Sequence, residues 1–208
     1  THAHTSGAHK QIYIHTHTYT SVHQVDSDAL LVLFSGERPP LDNSKAVKSH
    51  NASRNVGFVK VARGMGDTRV LSKGKVEKGG FYAFNGKWHE QENKGVNWLT
   101  NFESMDENAI RVKAARLSSG QILILFETWT GTTYVSSNVM AIDKDGNVTR
   151  PPRTSGFPFR MPLTDEIVST SSNSAVFYSG ELGQLVRYEV CLGSAKTADP
   201  SSAPASAS

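Results

Sequence analysis

The chain has a single cysteine, Cys191, among 208 residues, so no internal disulfide can form and the fold must rest on packing and hydrogen bonds. That lone thiol leaves two readings: a buried group in the last strand, or a bond to another chain. No apolar run approaches the roughly 18 residues that a membrane-crossing helix needs, which argues against a membrane span. The opening THAHTSGAHK lacks the charged-then-apolar layout of an export signal, so the expectation is a soluble chain or a processed fragment. Long segments with a helical period are scarce, and clusters of Gly, Ser, Asn and Asp punctuate short apolar runs instead, which points to β structure. Charge of one sign is missing too. The net charge is +3 with Lys and Arg scattered among acids, the pattern of a solvated surface rather than of a nucleic-acid footprint. A Gly-rich phosphate loop, a nucleophile elbow and a Cys/His zinc spacing are all absent, and the sequence identifies no reaction.

What is present is a repeat. Residues 117–126 (LSSGQILILF) form a polar turn feeding a run of five apolar residues. Residues 25–34 (VDSDALLVLF) overlay them without gaps, keeping an apolar residue, a polar turn and a strand ending in Phe. A looser third copy, 169–178 (STSSNSAVFY), keeps the turn and the strand but not the first apolar residue. Self-similarity of this kind means an array of similar sheets.

Taken in order, residues 1–11 are a flexible His-rich arm, 12–192 the folded repeats, and 193–208 a Ser/Ala/Pro tail with nothing apolar to bury and an expectation of disorder. In residues 12–19 the residues alternate, and His15 and His17 project side by side from one face. Two imidazoles so placed can ligate a divalent metal, given a third ligand that the sequence does not supply; the other reading is a half-exposed strand running into the arm. Residues 37–54 make an exposed excursion, and the Asn85-Gly86 dipeptide in FYAFNGKW signals a tight hairpin. From 110 to 150 four strands follow one another through short turns, the size of one repeat unit. Residues 151–162 (PPRTSGFPFRMP) hold four prolines and read as a crossing between units. The sequons at Asn51 and Asn147, both in polar turn-like contexts, favour an extracellular or cell-surface glycoprotein.

The repeated meanders, with cores 25–34, 117–126 and 169–178 and third strands NVGFVKV, SNVMAID and QLVRYEV, resemble the blades of a β-propeller. Gly79-Gly80 with the downstream Trp88 is faintly similar to a kelch repeat, while the sialidase aspartate box and the WD dipeptide are absent. The resemblance implies an all-β fold of four-stranded antiparallel blades, about four of them or part of a larger ring. Phe34 and Phe126 are 92 residues apart and Phe126 and Tyr178 are 52 apart, a spacing that leaves room for one further unit in the first gap.

Equivalent positions of a propeller converge on one face, so the resemblance makes Glu37, Glu127 and Glu181 candidate ligand-binding carboxylates, with Trp129 as an aromatic platform. Acids ending strands also serve as solvated caps, and a Trp packs between blades equally well. The leading expectation is a secreted, non-enzymatic propeller binding glycans or protein partners, as an oligomer or part of a larger assembly. The alternatives are a glycoside hydrolase using two of the glutamates as acid and base, and a purely structural filament or shell protein.

Overall fold

Short apolar runs separated by polar turns build β1 (Ser21–Asp26), β2 (Ala29–Glu37) and β3 (Arg54–Ala62) as an antiparallel meander. The computed structural model describes residues 21–37, 53–63, 69–72, 77–84, 87–93, 95–103, 106–156, 158–162, 165–181 and 184–192, with backbone alone for 77–84, 87–93 and 181. A separate hairpin follows, β4 (Glu77–Phe84) with β5 (Lys87–Asn93), before β6 (Asn97–Trp98) returns to pair with β3 and completes the first sheet in the order β1-β2-β3-β6. The long first gap therefore holds an insertion within one unit rather than a further four-stranded unit. The middle sheet is a continuous meander of β7 (Glu107–Arg116), β8 (Ile122–Thr130), β9 (Thr133–Ile142) and β10 (Val148–Thr154). The third sheet has the order β11 (Val168–Ser169), β12 (Ser174–Glu181) and β13 (Gln184–Cys191). The protein is all-β, with small antiparallel sheets, no helix and no closed ring among the described residues. No helix of these is long and apolar enough to cross a membrane.

The middle sheet lies between the other two. One of its faces, carrying Ile122, Ile124, Phe126, Met140 and Ile142, packs on Val25, Leu31, Leu33, Val56 and Phe58 of the first sheet. The opposite face, carrying Leu117, Leu123 and Leu125, packs on Phe159, Met161, Ala175, Phe177 and Val190. A strand buried on both sides reads as a continuous apolar run, which is why ILILF lacks alternation. At the first interface Gly146, at φ +89°, sits where an added Cβ would lie 2.1 Å from the Phe58 ring, and Lys60 bridges Asp26 and Asp145 at 3.3 Å each.

Stacking order gives every sheet a leading face, towards the sheet before it, and a trailing face. Phe34 stands on the leading face of the first sheet and Phe126 on that of the middle sheet. In the third sheet the leading face carries Phe177, fully buried, while Tyr178 points away and is exposed. Matched by face, residues 168–177 (VSTSSNSAVF) rather than 169–178 lie over the other two segments, with Val168 and Phe177 in the places of Leu117 and Phe126. A slip of one residue exchanges the faces of a strand, so Ala175 and Phe177 rather than Val176 and Tyr178 face the core. Pro151 and Pro152, expected in the crossing, lie inside β10, at the register shift between Arg150 and Arg153. An edge strand needs no donors on its outer side, and a bulge accommodates the missing N–H. Pro158 and Pro162 flank the segment that does cross.

Candidate functional site

Trailing-face residues at the end of β8 meet that crossing segment. Glu127 is fully buried and both its oxygens take protein donors: Oε1 accepts from Met161 N at 2.6 Å and Arg111 Nη1 at 3.3 Å, and Oε2 from Trp129 Nε1 at 2.7 Å. The Arg160 Nε lies 3.8 Å from Oε1, and its guanidinium stacks 4.7 Å from the Trp129 ring centre and 4.4 Å from that of Tyr134. Ser137, below them on β9, donates to Phe159 O and accepts from Phe159 N at 3.1 Å and is bonded to Tyr134 Oη at 2.6 Å. Side chains thus supply to residues 158–162 the backbone partners that a neighbouring strand would otherwise give, and the segment is a strap across the sheet. Arg111 reaches Glu127 and Met161 O because β7 bulges between Ile110 and Lys113, with Arg111 at φ +54°. Such a conformation costs a non-glycine residue roughly 1 kcal/mol or more, and the ion pair offsets it.

The leading face of the same strands does something different. Beyond Phe126 it turns polar, and a cleft of about 480 Å³ opens between it and the segment after β6. Asn138 organises the floor: Nδ2 donates to Thr128 Oγ1 at 2.8 Å and Ser136 Oγ at 3.1 Å, while Oδ1 accepts from Thr154 Oγ1 at 3.4 Å. The opposite wall is fixed by buried Asn55, whose Oδ1 accepts from Phe102 N at 2.7 Å and Thr100 Oγ1 at 3.0 Å. Phe102, Leu99 and Val135 add apolar surface, and Glu107 is the one ionisable side chain among the residues lining the cleft. With the Asn138 amide held by three hydroxyls, the Thr128 and Ser136 hydroxyl protons remain to be donated into the cleft.

The candidates read from sequence separate. Glu37 ends β2, partly exposed, in the first sheet, where it is paired in register with Arg54; Glu127 and Trp129 are in the strap contact of the middle sheet; Glu181 ends β12, paired with Gln184. The structure thus brings Glu127 and Trp129 together and sets Glu37 and Glu181 on two other sheets. The second sequon asparagine, Asn147, lies in an exposed turn with Nδ2 donating to Asp143 Oδ2 at 2.9 Å. His15, His17 and Asn51 lie outside the described residues. Among the described residues no three His, Cys, Asp or Glu side chains stand close enough to share a metal ion. Cys191 is an exposed free thiol. Sequence reading missed the cleft, though a signal existed: Thr128, Ser136 and Asn138 belong to the polar ends of two strands that are apolar beyond them, and Thr128 lies opposite Ser136. No family profile, curated protein or solved structure matches the chain.

Proposed function

We propose that the protein is an extracellular, non-enzymatic binding protein of propeller-like build, which takes a neutral, hydroxyl-rich ligand of the glycan class in the cleft beside Asn138. The observation that carries this is the lining itself: amide and hydroxyl groups held in fixed orientation by one another, set beside Phe102, with a single carboxylate. Sugars present ring hydroxyls that pair with such groups and apolar ring faces that lie against aromatic carbon. Hydrolysis through acid and base carboxylates needs two of them flanking one bond; Glu107 stands alone among the lining residues, and Glu127 opens on the other face of the sheet with both oxygens occupied. Three stacked meanders with repeat positions on matching faces support the propeller-like reading, and the exposed Asn147 turn supports the extracellular one.

Binding to a panel of neutral oligosaccharides, followed by calorimetry on the best, tests the proposal. Asn138→Ala frees the Thr128 and Ser136 hydroxyls that its amide orients towards the cleft, and losing the two hydrogen bonds they would give a ligand, worth ~1 kcal/mol each, lowers affinity roughly thirtyfold. Failure of every neutral oligosaccharide to bind, or binding unchanged by Asn138→Ala yet abolished by Glu127→Gln, would overturn it.

A further inference from the structure

The trailing faces of the first and middle sheets are each buried by the sheet that follows, Val25 and Leu117 at the first repeat position included. Val168 holds the same position in the third sheet, and nothing among the described residues covers it: it is 65% exposed, with Tyr178 at 50% and Leu185 at 74% on the same face. A sheet face with large apolar residues this open is a docking surface by composition. The surface that fits it is on the same chain. Ile122, Ile124 and Phe126 are the leading-face residues with which the middle sheet docks on the sheet before it, and their repeat equivalents in the first sheet are Leu30 and Val32, both partly exposed, and Phe34, which the Trp98 ring already covers edge-on at 5.8 Å. That leading face also carries Val22, 55% exposed, opposite Val32.

The geometry points to head-to-tail association of two or more copies, the leading face of one copy's first sheet docking on the trailing face of another's third sheet and repeating between chains the interface already made twice within each. Because the two surfaces differ, the contact is heterologous, and two copies joined at both ends form a closed ring of six sheets. The charged residues on the trailing face are already neutralised, Arg187 Nη2 lying 3.0 Å from Glu189 Oε2, so docking leaves no unpaired ion behind.

Light scattering on the full chain is expected to give a mass at least twice 22.6 kDa. Leu185→Glu and Val22→Glu are each expected to reduce it to the monomer, and mixing the two variants restores a dimer, since each retains the surface the other lacks. Cys191, exposed on the same trailing face, gives a measurement without mutation: its alkylation slows several-fold as protein concentration rises through assembly. A wild-type monomer whose Cys191 reacts at a concentration-independent rate overturns the proposal. So does an oligomer that both variants leave intact, or one that the mixture does not restore.

Discussion

Replacing Glu127 with alanine is the sharpest probe of how the strap is held. The carboxylate takes short hydrogen bonds from Met161 N and Trp129 Nε1 and an ion pair from Arg111. Each charge-assisted bond is worth roughly 1.5–3 kcal/mol net, and removing one partner of a buried pair costs about 3–5 kcal/mol. Arg160, 39% exposed, returns to water without much loss, whereas Arg111, 20% exposed, keeps a partly desolvated charge, so the total expected for Glu127→Ala is about 4 kcal/mol. Glu127→Gln keeps the shape and an acceptor for Met161 N and costs about 2 kcal/mol. In urea, with a slope of about 2 kcal/mol/M for a chain of this size, these losses move the midpoint by about 2 M and about 1 M. Hydrogen exchange supplies the local readout: the amides of Phe159 and Met161 lose protection before the strands do. A shift below about 1 kcal/mol for the alanine variant, with the strap amides still protected, refutes the anchoring role.

Gly146→Ala forces a Cβ to within 2.1 Å of the Phe58 ring at a φ of +89°, so a loss of about 2–4 kcal/mol is expected in thermal unfolding, and a neutral result contradicts the tight seating of this turn on the first sheet. His23 is held below its ordinary pKa of 6.5 by burial, with the Glu166 carboxylate opposing. The unfolded chain then binds the proton first, so stability is full above 6.5 and declines as pH falls below it. Urea midpoints at about pH 7.5 and about pH 5.5 should differ, and His23→Gln should narrow the difference; a difference that the variant leaves unchanged would count against the assignment.

The strands β2 and β8 were legible because a buried strand after a polar turn leaves an apolar run that no other local structure explains, and both begin where those runs do. In the third sheet the overlay 169–178 misled by one residue on which aromatic faces the core. Its two aromatics, Phe177 and Tyr178, are adjacent, and composition does not say which of them faces the core. The split of the first sheet around β4 and β5 was hidden for a different reason: β6 is only two residues long, too short to show a period. Glu127 and Trp129 were singled out as strand-end residues, but their partners Arg111, Met161 and Arg160 come from a bulge and a strap, and neither has a periodic signature. The Asn138 network depended on register between β8 and β9, which pairs Phe126 with Asn138 and Thr128 with Ser136 only once the hairpin is folded.

The prolines in β10 reach beyond local geometry. A bare outer strand is an invitation to any passing extended chain, and misassembly of β proteins commonly starts there. Pro151 and Pro152 deny that rim of the middle sheet a regular row of donors. Contacts between molecules are thereby steered away from backbone ladders, which recognise almost any sequence, and towards side-chain surfaces, which discriminate.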